Sequence, residues 1–149
     1  MQRTDMNFTL LYSNNSNDKW NKVGEAYVLM QPVRAVIIDN DLHTHEIRIA
    51  AGYKCDGLSV PTIFHWYLPS WDKTNSTYNL AGIIHDALYT IGWKDNRELC
   101  DDVFRGILRD SGISRLKAGT ADKCLEWFAG GKAHWKNDTY KNISYISVK

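Results

Sequence analysis

Asn79-Leu80-Ala81-Gly82-Ile83-Ile84-His85-Asp86-Ala87-Leu88-Tyr89 places an imidazole and a carboxylate inside an apolar segment with helical patterning. Leu80, Ile83, Ile84, Ala87, Leu88 and Ile91 take the i, i+3, i+4 and i+7 positions of a buried helical face, so His85 and Asp86 lie beside or within that face. Polar groups so placed need partners, because burial without a hydrogen bond is costly. Tyr89 follows one turn after His85 on the same side, so a phenol, an imidazole and a carboxylate can converge near one helix. Such a grouping is either a site or a staple between elements.

Working outward, Thr74-Asn75-Ser76-Thr77 offers N-caps for this helix, which runs to about Gly92. Asp95-Asn96 caps a second helix with an apolar stripe of Leu99, Val103, Phe104, Ile107 and Leu108, stopped at Ser111-Gly112. Ser114 starts a last helix whose inward face is Leu116, Ala118, Ala121, Cys124, Leu125 and Phe128, before Gly130-Gly131 breaks it. On the N-terminal side, residues 51–61 are built for turns, with Asp56-Gly57 and Val60-Pro61 bracketing Ser59. Pro61 suits the first position of a further helix with Ile63, Phe64, Trp66, Tyr67 and Leu68 on its aromatic side, ended by Pro69.

Earlier still, 8–12, 26–30, 33–38 and 45–50 carry the β-branched, aromatic or alternating residues of strands, and Pro32 favours a bend or an edge between two of them. Residues 13–18 form a polar loop, and the tail ends in a candidate late strand over 143–148. Strands first and helices afterwards predict an α+β fold, a small antiparallel sheet from the N-terminal third packed against three main helices. At 149 residues and 44% hydrophobic, the chain supports one domain. Within it, 1–50 is mainly strands, 51–135 holds the motif-bearing loop and helices, and 136–149 is the tail.

A formal charge of +1, from 18 basic and 17 acidic residues mixed along the chain, supplies no footprint for nucleic acid or an anionic membrane. Cys55, Cys100 and Cys124 are odd in number and lack a CxxC pair, so neither a disulfide framework nor a zinc knuckle is expected, and reduced thiols fit best. The first residues lack the apolar core of a signal, and no later run is long enough to span a bilayer, so a soluble protein without a cleaved signal is expected.

Asp56-Gly57-Leu58-Ser59-Val60-Pro61, then His85-Asp86-Ala87-Leu88-Tyr89, then Arg97 with Asp101 and Phe104, resemble in that order a family of uncharacterised phage and prophage proteins, the domain of unknown function 1353. The resemblance covers 51–135 and implies a phage origin, a location in host cytoplasm during infection or in the virion, and no agreed activity. Cys55 departs from it, standing where a threonine commonly precedes the aspartate.

A second resemblance is confined to the helix pair. His85-Asp86, Tyr89 and Cys100-Asp101 are similar to the active-site helices of secreted phospholipases of the A-two class, where the histidine activates water. There the adjacent aspartate holds calcium and an aspartate on the second helix orients the imidazole, which would assign those roles to Asp86 and Asp101. The disulfides and the usual glycine-rich calcium loop are missing here.

The candidate catalytic residues are therefore His85, Asp101, Ser59 and Tyr89, with Asp56, Asp86 and Arg97 as a substrate-contacting or structural polar cluster. A carboxylate bound to one imidazole nitrogen sets the tautomer and leaves the other as a base toward water or the Ser59 hydroxyl. The competing reading is structural, with His85 and Asp101 tying two helices, Tyr89 capping their network and Asp56 satisfying its own turn. A divalent cation on Asp86 and Asp56 has suitable ligands, although His85 and Asp86, being adjacent on a helix, diverge by about 100°. Cys55 as a nucleophile, His43 with His45 as a metal pair, and Trp66, Trp71, Trp93, Trp127 and Trp135 as a ligand platform each compete with simpler core or surface roles. Two functional classes stay open: a hydrolase using a His-Asp pair, or a non-catalytic virion or host-interaction protein with a structural polar cluster.

Overall fold

Alternating buried and outward side chains along two neighbouring strands set the sheet that supports the helices. In β4 (Val33–Asp39) and β5 (Thr44–Ile49), the core takes Val33, Ala35 and Ile37 from one strand and Ile47 and Ile49 from the other. The computed structural model describes residues 8–12, 20–23, 26–39, 42–55, 75–127, 135–136 and 142–149. The expected loop at 13–18, the helix begun by Pro61 and the candidates Asp56 and Ser59 lie outside these residues.

Among the described residues the strands form two antiparallel sheets. β1 (Phe8–Tyr12), β4, β5 and β7 (Ile146–Val148) make one, in the order β1-β4-β5-β7. β2 (Trp20–Val23), β3 (Ala26–Leu29) and β6 (Lys54–Cys55) make the other, in the order β2-β3-β6. β3 and β4 are consecutive yet sit in different sheets, with a bend at Met30-Gln31 before Pro32, in keeping with proline's inability to donate to a ladder. Leu29 stitches the second sheet to the turn after β5: its N–H donates to the Tyr53 carbonyl at 2.9 Å and its own carbonyl accepts from Gly52 at 2.7 Å. Gly52 has a φ of +100°, and a Cβ there would stand 2.8 Å from the Tyr145 ring, so glycine serves both the backbone and the packing. Of the tail segment expected as strand, residues Asn142–Tyr145 form a 3-10 turn and only β7 joins the ladder, pairing Ile146 with Ile49.

The three main helices expected after residue 74 are present. α1 (Ser76–Ile91) is capped by Asn75, whose side chain accepts from the Tyr78 N–H at 3.0 Å, and ends at Gly92 in the left-handed region. α2 (Arg97–Asp110) is capped by Asn96, which accepts from the Leu99 N–H at 3.1 Å. α3 (Arg115–Trp127) follows Ser114, whose hydroxyl accepts from the Lys117 N–H at 3.1 Å. Asn75 also donates to the Ser111 carbonyl at 3.0 Å, so the start of α1 meets the end of α2 and the two run antiparallel.

α1 is more deeply placed than a one-faced pattern implies: from Tyr78 to Thr90 every residue except half-buried Asp86 is buried. One continuous core joins it to Val33, Ile37, Ile47 and Ile49 of the sheet and to Val103, Phe104, Ile107 and Leu108 of α2. Leu116 corrects the expected inward face of α3, for it is 75% exposed while Ala118 and Ala121 are buried. Two residues subtend about 200° around a helix, so Leu116 cannot share the face of Ala118. The side chains of Cys124, Leu125 and Phe128 lie outside the described residues. No described helix is long and apolar enough to cross a membrane.

Candidate active site between the two central helices

His85 and Tyr89 are one turn apart on α1 and face the second turn of α2, where Asp101 projects between them. The carboxylate Oδ1 lies 2.8 Å from His85 Nε2 and accepts the Tyr89 hydroxyl at 2.7 Å. Because an ionised carboxylate can only accept, Nε2 carries the hydrogen, and in the neutral ring Nδ1 is then the basic nitrogen. Aromatic rings enclose the imidazole: Tyr89 lies 4.1 Å and Phe104 4.9 Å from it, centroid to centroid. The side chains of His85 and Asp101 keep 8% and 13% of their surface, enough burial for their partners to fix both groups.

Burial raises the Tyr89 hydroxyl above the ordinary phenol range, the hydrogen bond to Asp101 and that carboxylate's charge add to the effect, and Arg97 opposes it. Tyr89 is therefore a donor throughout the neutral range. Trp135 meets the Tyr89 ring edge-on at 5.1 Å, and the Lys136 N–H donates to the Tyr89 carbonyl at 2.8 Å, closing the end of the helix. Lys136 also lies across Gly92, where a Cβ would come within 2.5 Å of its side chain.

Asp86 turns away from this group. Its Oδ2 accepts the hydroxyl of fully buried Tyr53, which directly precedes β6. The rotation of about 100° between successive helical residues sends His85 toward α2 and Asp86 toward the strand side. The structure thus brings together His85, Tyr89 and Asp101, sets Arg97 beside the Tyr89 hydroxyl, and pairs Asp86 elsewhere. For the cation reading, no group of three or more His, Cys, Asp or Glu among the described residues is arranged to hold a metal.

Cys100, next to Asp101, is wholly buried, and its thiol is pushed up to about 12 by burial first and by the Asp101 charge second. It is a packing thiol whose Sγ donates to the Trp93 carbonyl at 3.8 Å. Trp93 itself packs against His45 edge-on at 5.6 Å, which places that histidine on the aromatic surface beside the helix connection. Sequence reasoning missed Tyr53 and Trp135 as partners of the polar residues. Tyr53 is 33 positions from Asp86, and no local periodicity links such residues.

No curated protein and no solved structure matches the chain. The profile of one family, described as protein of unknown function (DUF1353), matches residues 30–121, a span running from the end of β3 through α1 and α2 into α3. The polar cluster between the two helices lies wholly within that match, and the chain belongs to this family.

Proposed function

We propose that this chain is a phage-encoded hydrolase in which His85 is the general base and Asp101 the residue that positions it. The observation that carries the reading is the double engagement of Asp101 Oδ1 by His85 Nε2 and by Tyr89, which leaves Nδ1 as the basic nitrogen. In the reaction, Nδ1 takes a proton from water, or from the Ser59 hydroxyl, as its oxygen attacks an ester centre. The imidazolium then returns that proton to the departing alkoxide, and Asp101 stabilises the cation while it lasts. The likeness of the helix pair to secreted phospholipases of the A-two class supports water activation by histidine. The engagement of Asp86 by Tyr53 differs from the calcium-holding role that likeness implies.

A screen of carboxylic esters and phosphodiesters, run on the wild type and His85→Ala, tests the proposal. Turnover is expected to vanish in the variant with the fold retained. A second reading is favoured by the aromatic enclosure of His85: the cluster is a staple between α1 and α2 in a virion component or a host-directed protein. Under that reading His85→Ala acts on stability alone. Recovery from purified virions points to a virion component, and recovery only from infected cytosol to an early enzyme or a host-directed inhibitor.

A further inference from the structure

Arg97 opens α2 one turn before Asp101, a spacing at which arginine and aspartate ordinarily pair on a helix surface. Among the described residues Arg97 makes no ion pair with Asp101, whose Oδ1 is engaged by His85 and Tyr89. Arg34 and Arg48 bind Glu46, Arg105 binds Asp102, and Arg109 donates to the Ile113 carbonyl, while Arg105 and Arg109 share with Arg97 a buried Nε that has no hydrogen-bond partner. Arg97 is half-buried, its Nε is buried without a hydrogen-bond partner, and among the described residues no carboxylate lies within ion-pair distance of it. One turn before Asp101, on the end of α2 that meets the C-terminal end of α1, Arg97 stands on the Tyr89 side of the polar cluster, where its hydrogen bond and charge act on the Tyr89 hydroxyl.

We propose that Arg97 is the anion anchor of this site, selecting substrates that carry a phosphate or phosphodiester oxygen close to the bond presented to His85. The proposal rests on the hydrolytic reading for the word substrate, while the anion site itself does not. A guanidinium offers a planar fork matched to two oxygens of one phosphate, and a partly desolvated one without a carboxylate partner gains most from such a ligand. The Tyr89 hydrogen is already donated to Asp101, so the guanidinium is the anion's donor here, and the His85 and Tyr89 ring centroids lie 4.1 Å apart. The Asp101 charge would repel an anion at this spot if unopposed, and Arg97 supplies the opposing charge. A phospholipid headgroup and a soluble phosphodiester share this chemistry.

The probe is inorganic phosphate, titrated into the full-length protein while the ring resonances of His85 are followed by NMR, in the wild type, Arg97→Gln and Arg97→Lys. Phosphate is expected to shift the His85 signals in the wild type, with affinity falling roughly tenfold or more in Arg97→Gln and less in Arg97→Lys, which keeps the charge without the fork. Thermal melts establish that both variants fold, and Arg97→Lys carries the comparison if Arg97→Gln does not. Equal shifts in all three proteins, or none in the wild type, overturn the anchor. In the kinetic arm, Arg97→Gln is expected to raise KM for bis(p-nitrophenyl) phosphate roughly tenfold more than it raises KM for p-nitrophenyl butyrate. Cleavage of both esters without that discrimination overturns this proposal and leaves the hydrolase. Arg97-dependent phosphate binding without turnover overturns the hydrolase and leaves the anchor. Phosphatidylglycerol vesicles set against a soluble phosphodiester then separate the two sources of the anion.

Discussion

Asp101 and Glu46 are both carboxylates claimed by two donors, and they differ in what those donors are and what surrounds them. Glu46 stands on the outward face of the four-stranded sheet and takes Arg34 and Arg48, whose side chains are each 57% exposed. Arg34 and Arg48 are direct cross-strand partners, an unfavourable like-charge pair that Glu46 relieves from two residues along β5. Asp101 sits between helices and takes a phenol and an imidazole, and Phe104 packs against that imidazole. The cationic donors depress Glu46 to about 2 through hydrogen bonds first from Arg34 and then from Arg48. The two carboxylates keep similar exposure, 16% and 13%, and the difference lies in their partners: the exposed arginines compete with water and salt, whereas His85 keeps only 8% of its side-chain surface.

The largest effect is expected where the enclosure itself is removed. Phe104 is 1% exposed and its ring lies against His85, so Phe104→Ala should cost about 3–5 kcal/mol of stability, read from the urea midpoint. If the midpoint barely moves, the two carboxylates are less different than their surroundings suggest.

Next, Asp101→Ala removes the acceptor shared by His85 and Tyr89 and should cost about 2–3 kcal/mol at neutral pH and be insensitive to added salt. Glu46→Ala should fall among ordinary surface substitutions, and its small effect should shrink further as salt screens the pairs. Equal losses in the two variants would erase the distinction. Tyr89→Phe isolates one donor while keeping the ring against Trp135, and a loss of about 1 kcal/mol is expected by the same denaturation measurement.

The smallest effect is confined to acid. Glu46 has a folded-state value of about 2 against a reference of 4.5, so its ion pairs contribute fully above about 4.5 and the contribution fades as pH falls toward 2. Stability measured across that window should fall less steeply in Glu46→Gln than in the wild type, and the difference should narrow at high salt. A wild-type slope unchanged by the substitution would remove Glu46 from the acid response.

Much of the helical half is legible in the sequence. Asn96, Ser114 and Gly92 serve as the end signals their positions imply, and the stripe from Val103 to Leu108 is buried as its periodicity requires. The strands are less legible there: Trp20–Val23 lies in a polar, Asn-rich stretch, and Lys54–Cys55 is two residues of ladder inside a segment built for turns. Their pairing with Ala26–Leu29 comes from the partner strand and not from their own pattern. Leu116 faces outward despite its apolar side chain, because its angular position on α3 is nearly opposite that of buried Ala118.

The amino-acid order by itself determined that His85 and Tyr89 share one side of a helix and that Asp86 must point elsewhere, since both follow from 3.6 residues per turn. It also determined the α+β class, through strands gathered before helices. Which carboxylate reaches the imidazole was a tertiary decision: Asp101 arrives from 16 residues away because α1 and α2 pack antiparallel. The same holds for Tyr53 on Asp86 and for the half-buried Arg97 beside Tyr89. Local periodicity specifies directions around a helix axis, while the identity of the group met in each direction depends on elements brought together only by burial of the shared core.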